Sequence, residues 1–312
     1  MVLIKFLFQM NYKIICHLMP WELDYALLSF TQLKKSKYYL DKKDKIYVDV
    51  SLNLSEYIIN WKDSKIPKEF FINKFKTLQP LLKDYICSFK IYDGKELYGG
   101  LNLQLEATKS NIDYYMILNP DMYFSENLLY YLIEGSKQIK NEYFTITPQI
   151  PKLWDSTWDV ISHENYNNIP YQDWDKLDVY DIRHFMKYSP EDINLVPINT
   201  HKWAGWMDLY NKNTWNDFWV SHKDWTGYGP CDLYSMLLSQ HAKSQGVDFQ
   251  QYILKNQLTC EYAVGPLKKG YSIYYKDMLS LNQIPNQRDE FESRMQEYLH
   301  KGVKMLKEKN II

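Results

Sequence analysis

The most constraining feature of this chain is an alternation in its first half. Short, continuous apolar runs at Tyr12 to Leu18 (YKIICHL), Lys45 to Val50 (KIYVDV), Tyr85 to Ile91 (YICSFKI) and Tyr114 to Leu118 (YYMIL) are separated by stretches with helical spacing. Apolar runs of this length, with no polar alternation, are what strands buried on both faces look like. Such strands separated by helices run parallel, because the helix carries the chain back across a face of the sheet. The expected fold class is therefore α/β with a doubly wound sheet, and ligands are expected at the carboxyl ends of its strands.

Helical spacing supports the same reading. Leu23, Ala26, Leu27, Phe30 and Leu33 form one apolar face between Trp21 and Leu40, and Leu101, Leu105 and Thr108 share another. Ser125 is the expected cap of a helix with Leu128, Leu129, Leu132 and Ile133 inward. Asp232 to Ser244 reads as a helix with Leu233, Met236 and Leu237 inward, and Arg288 to Lys309 as a basic amphipathic helix carrying Phe291, Met295, Leu299 and Leu306. Between Pro151 and Trp225 the alternation is lost, yet eight of the ten tryptophans lie there (Trp154, Trp158, Trp174, Trp203, Trp206, Trp215, Trp219 and Trp225). That content argues for an ordered, functional insertion. The expected organisation is one domain over 10–265 and a C-terminal helical extension over 266–312.

Composition narrows the function classes. A chain of 312 residues with 46% hydrophobic and 24% charged residues can bury a sizeable core. Its net charge of -1 supplies no global positive field, so nucleic acid is not an expected partner. Cys16, Cys87, Cys231 and Cys260 show neither zinc-site spacing nor the density of a disulfide scaffold, which fits a reducing, cytoplasmic setting. The opening MVLIKFLFQM is too short to span a bilayer and lacks a small-residue cleavage site, so neither a signal peptide nor a transmembrane helix is expected. Residues 1–9 read either as an upstream start or as a short surface anchor.

The order of YKIICHL, YVDVS, GGLNLQLEA, YYMILNPDMYF, WAGWMDLY and GYGPCDLYSMLL resembles the inverting, family 2 type of nucleotide-sugar glycosyltransferase with a GT-A fold, a Rossmann-like, doubly wound mixed sheet. The likeness runs over about residues 10 to 245. It implies that Asp49 in VDVS contacts the nucleotide base, with His17, Leu18, Asn102 and Asn119 also on the nucleotide side. The family's D-x-D or N-P-D motif matches ILNPD at 117–121, which makes Asp121 the implied ligand of Mn²⁺ or Mg²⁺, with His222 as a further candidate. GYGPCD at 227–232 stands where the family carries a G-x-G-E-D segment, so Asp232 is the candidate general base. Here the chain departs from the pattern, with Pro230 and Cys231 in place of acidic residues and Asn119 in place of the first Asp of D-x-D.

The chemistry accounts for these residue types. Departure of a nucleoside diphosphate builds charge on phosphate, which a divalent ion on hard oxygen ligands neutralises. The attacking acceptor hydroxyl must lose its proton to a carboxylate on the opposite face of the sugar. Trp203 and Trp206, beside Gly205, are the expected sugar platform of a Trp-rich acceptor side, with Asp208 near them, although core packing is the bland reading of both indoles. The expected donor is a nucleotide-diphospho-sugar and the expected acceptor a glycan or lipid-linked molecule, with peripheral membrane contact through the C-terminal helix. A carbohydrate-binding protein that kept the fold and lost catalysis, and a sugar nucleotidyltransferase, remain as alternatives.

Overall fold

The computed structural model describes residues 9–41, 43–56, 59–94, 111–150, 156–164, 193–203, 205–219, 231–261 and 287–312. The first of the apolar runs forms β1 (Asn11–Leu18), which passes into α1 (Leu23–Ser36). Then follow β2 (Lys45–Asn53), α2 (Lys68–Leu78), β3 (Ile86–Tyr92), β4 (Tyr114–Ile117), β5 (Met122–Phe124), α3 (Leu128–Ser136) and β6 (Tyr143–Gln149). The second half adds β7 (Leu195–Ile198), β8 (Leu209–Asn211), α4 (Lys212–Phe218), α5 (Cys231–Ser244), β9 (Phe249–Glu261) and α6 (Gln287–Glu308).

Among the described residues nine strands make one mixed sheet in the order β3-β2-β1-β4-β8-β6-β9-β5, with β7 alongside β9. β1 pairs parallel with β2 on one edge and with β4 on the other, and β2 pairs parallel with β3. The direction of strand addition therefore reverses between β1 and β4. β8 runs antiparallel between β4 and β6, inside the region expected to be irregular. Three residues suffice for it because its neighbours supply the ladder on both sides.

Each face of the sheet carries its own core. Alternate residues of β1 (Tyr12, Ile14, Cys16 and Leu18) pack with α1, α2 and α3, whereas Ile15, Tyr115 and Ile117 face a second core built from α4, α5 and α6. The chain is thus α/β and doubly wound, as expected. Several local expectations are corrected. Leu27 is 47% exposed, because the inward stripe of α1 uses Leu23, Ala26, Phe30 and Leu33. Leu237 likewise turns outward on α5 while Met236 is buried. Ser125 does not cap α3: its hydroxyl bonds to Gln257, and Asn127 holds the cap position. β2 runs three residues past the apolar run that ends at Val50, through Ser51 to Asn53.

The C-terminal helix α6 forms a wall of the second core, with Met295, Tyr298 and Leu306 buried. Of its expected basic residues, Lys301 pairs with Glu297, Lys304 with Glu308 and Lys309, just past its end, with Asp217. Among the described residues no helix is long and apolar enough to cross a membrane. α6 approaches α5 closely at Gly302, where an added Cβ would overlap the Tyr234 hydroxyl and touch Leu238. Gly302→Val should therefore lower stability by about 1–3 kcal/mol through overpacking. Denaturant unfolding of the variant beside wild type measures this, and an unchanged midpoint would contradict the contact.

Candidate functional site

The reversal between β1 and β4 leaves a crevice at their carboxyl ends, because the connections leaving the two strands part there. On the β1 side the chain turns through Met19 and a 3-10 turn at Pro20–Glu22. Glu22 closes that turn from both directions: its N–H donates to the Met19 carbonyl at 3.0 Å, and its carboxylate accepts the Met19 N–H at 2.7 Å. On the β4 side Leu118 still donates to the Ile15 carbonyl at 2.9 Å, and the chain then turns through Asn119, Pro120 and Asp121. The fully buried Ser29 of α1 holds this turn, its hydroxyl lying 2.5 Å from the Pro120 carbonyl and 2.7 Å from that of Met122. One proton is shared between two converging acceptors, so the turn is tied to α1.

The charge of Asp121 on the β4 side is felt at Glu22 on the β1 side. Burial, and after it the charge of Asp121, push the Glu22 carboxyl up to about 8, while burial pushes Asp121 up to about 6. Cys16, buried beneath, has its thiol raised by burial and then by Glu22 and Asp121. Asp121 thus acts electrostatically on Glu22, an acidic residue that sequence reasoning missed. Glu22 reads in sequence as an ordinary helix-entry residue. Its signal is its position, four residues beyond the end of β1, and that signal gains meaning only once β4 is known to lie alongside.

The nucleotide-side candidates divide. His17 and Ser51 are register partners on β1 and β2, and their side chains meet at 3.0 Å between Nδ1 and Oγ. Burial lowers the His17 pKa to about 3, so the ring is neutral near pH 7, and its Nε2 has no hydrogen-bond partner among the described residues. Asp49 is not in a turn at the strand end. It lies mid-strand opposite Ile15, on the second face, where it pairs with Lys13 at 3.0 Å. Leu18 is buried in the first core and offers the crevice only its backbone. Asn119 is half-buried, its carbonyl accepting the Met122 N–H. Asn102 lies outside the described residues.

The acceptor-side expectations are corrected by packing. Trp203 is 1% exposed and its ring is enclosed by Tyr210, Trp219 and Phe249 at centroid distances of 5.2 to 6.1 Å for the aromatic contacts in this group. Trp206 is buried in the first core. Both indoles are therefore buried among the described residues, as the core-packing reading has it. Asp208 is fully buried and accepts from the Gly205 N–H at 3.3 Å and the Tyr210 hydroxyl at 3.2 Å. It braces a turn in which Gly205 and Met207 both have positive φ, 69° and 61°. The Met207 N–H donates to the Ile117 carbonyl at 2.9 Å, so this turn is fastened to the end of β4. Asp232 is the second residue of α5, and its side chain, like the whole of His222, lies outside the description.

Asp121 and Glu22 offer hard oxygen donors, and a divalent cation held by them would relieve the like charge that raises the Glu22 carboxyl. No group of three or more His, Cys, Asp and Glu residues suited to a metal occurs among the described residues. Two carboxylates completed by substrate phosphates and water are nevertheless a sufficient protein share for Mg²⁺-like ions. The residues present fit such an ion.

No family model and no curated protein matches the chain. Among solved structures it is similar to TarS 1-349 from S. aureus, with 8% identity and a TM-score of 0.45 over 81% of this chain and 61% of that one. A structure of the same S. aureus protein in complex with UDP-GlcNAc gives 10% identity and a TM-score of 0.42, over 95% of this chain and 72% of that one. GalNAc-T7 with UDP, GalNAc and Mn²⁺ gives 11% and 0.44, over 81% of this chain and 43% of that one. The functional reading rests on the residues of this chain.

The raised Glu22 carboxyl has a consequence for stability. A carboxyl whose pKa is higher in the fold favours its neutral form there, so its contribution is present at low pH and is lost as pH rises through about 8. Glu22→Gln keeps an oxygen for the Met19 N–H and cannot ionise. In chelator, wild type should therefore lose stability relative to Glu22→Gln between about pH 5 and pH 8. Urea unfolding at both pH values tests this, and parallel pH profiles would contradict the raised Glu22 carboxyl.

Proposed function

We propose that the protein is a glycosyltransferase that moves a sugar from a nucleotide-diphospho-sugar to a glycan or lipid-linked acceptor in one inverting displacement. The observation that carries this reading is the placement of Glu22 just past β1 and Asp121 just past β4, where strand order reverses, with the charge of Asp121 raising the Glu22 carboxyl. A crevice of this kind binds nucleotides in doubly wound folds, and its paired carboxylates suit a metal that a diphosphate shares. The acceptor oxygen attacks the anomeric carbon as the bond from that carbon to the diphosphate oxygen breaks. The acceptor proton passes to the Asp232 carboxylate, the nucleoside diphosphate leaves, and the anomeric centre inverts. Mn²⁺ or Mg²⁺ held by Asp121 and Glu22 would neutralise the charge on the departing diphosphate.

Within this reading His17 and Ser51 line the nucleotide side, and Asp49 acts on the base with its charge fixed by Lys13. The Asp208 turn sets the height of the crevice wall beside β4. Hexosyl transfer in polysaccharide assembly, in a cytoplasmic setting, is the form of the reaction that the sequence motifs suggest. One feature favours a second reading, that of a carbohydrate-binding protein without catalysis: Asn119, Pro230 and Cys231 stand where acidic residues are expected.

Calorimetry with UDP and GDP, with and without Mn²⁺, tests the site. Metal-dependent binding by wild type should be weakened by Asp121→Ala, and unchanged metal-dependent affinity would place the ion elsewhere. With a productive substrate pair, Asp232→Asn should lower turnover by roughly 10²–10⁴-fold, as expected for loss of a general base, with donor affinity almost unchanged. Donor binding by wild type without turnover across a broad acceptor panel would favour the binding-protein reading.

A further inference from the structure

The outward face of α1 is unlike the outward face of an ordinary surface helix. At about 100° per residue, Leu27, Leu28, Thr31, Lys34, Lys35 and Tyr38 fall on one side. Leu27 and Leu28 are 47% and 43% exposed, and Tyr38, just past the helix end, is 88% exposed. Lys34 and Lys35 make no ion pair with a described residue. Between Lys34 and Lys45 the sequence places six lysines against two aspartates. Of those aspartates, Asp44 is buried and neutralised by Lys137 at 2.8 Å. The chain as a whole carries a net charge of only -1, so this positive charge is a local concentration.

The apolar part continues onto α2. Lys74 of α2 pairs with Asp24, one turn before Leu28, and also lies 6.0 Å from the ring of Phe70, which is 36% exposed. The outer surface of this helical layer thus joins exposed Leu27, Leu28, Phe70 and Tyr38 to a cationic end. A soluble polyanion would call for the lysines alone. Apolar side chains beside unpaired lysines match the boundary of an anionic bilayer, where leucine and aromatic rings enter the headgroup region while ammonium groups meet phosphate.

We infer that the outer face of α1, with the adjoining part of α2, docks the protein on an anionic lipid surface. Leu27, Leu28 and Tyr38 enter the interface, and Lys34, Lys35, Lys43 and Lys45 meet the headgroups. α6 is not the contact, since three of the four lysines at its C-terminal end, Lys301, Lys304 and Lys309, already face Glu297, Glu308 and Asp217.

Co-sedimentation of the full chain with phosphatidylcholine vesicles, with and without phosphatidylglycerol, tests this. Wild type should sediment only with the anionic vesicles, less so as salt is raised. Lys34→Glu with Lys35→Glu should weaken binding by about tenfold or more. Tyr38→Ser should weaken it without changing the salt dependence, whereas Lys304→Glu with Lys307→Glu on α6 should leave it intact. All the substituted side chains are exposed, so unchanged melting temperatures are expected and confirm that each variant is folded. The inference is overturned if wild type ignores anionic vesicles, if only the α6 variant loses binding, or if heparin binds while vesicles do not. Concentration-dependent self-association abolished by Leu27→Ser would also overturn it, by assigning the face to a second copy of the chain.

Discussion

Everything in this molecule is arranged around the hydrogen bonding of β1. It is paired in parallel on both edges, with β2 over eight residues and with β4 over four, and it is buried on both faces. A parallel neighbour cannot be reached by a tight turn, so each requires a crossover that lays a helix on the sheet. The unequal lengths of the two ladders matter as much as their direction. β4 stops level with Ile15, while β1 and β2 run three residues further to Leu18 and Leu52. The step between them is the crevice, and Glu22 and Asp121 stand on its two sides.

Two acidic environments lie close together in this arrangement and differ in how their charge is met. Asp49 has the Lys13 ammonium against it, so its negative charge is balanced within the sheet. At Glu22 the neighbouring charge is the like charge of Asp121, and burial raises both carboxyls. Fixed structure needs the first kind of pair, whereas the second is poised for a cation that arrives with a ligand. Ser29 keeps this poise from relaxing, because its hydroxyl ties both carbonyls flanking Asp121 to a helix that cannot shift without disturbing the first core.

The parts legible in sequence were those in which one local pattern decides the outcome. Continuous runs such as YKIICHL and YYMIL identify β1 and β4, and the stripe from Leu128 to Ile133 identifies α3 correctly, since strand and helix periods are local. β8 was not legible, because three residues carry no period and are strand only through β4 and β6. Leu27 was misplaced because a leucine at helical spacing does not reveal which flank of the stripe faces solvent. The tryptophans were misread for a related reason: clustering in sequence marks an aromatic assembly, but only packing separates a core from a binding face. Glu22 escaped notice because its significance is a distance across the sheet, which no spacing encodes.

The second core has a kinetic side. It joins Ile15 and Tyr115 in the first half to Trp203, Trp215 and Trp219 and finally to Met295, Tyr298 and Leu306. The first core needs little beyond β6 to be largely assembled, since most of its residues precede Ile161. A nascent chain can therefore cover one face of its sheet while the other waits, with Tyr115 bare until Trp215 of α4, which stacks on it at 4.7 Å, has been made. Contacts of such high sequence separation form late and leave apolar surface open in the interval. For this protein, the order of synthesis itself divides the sheet into an early side and a late one.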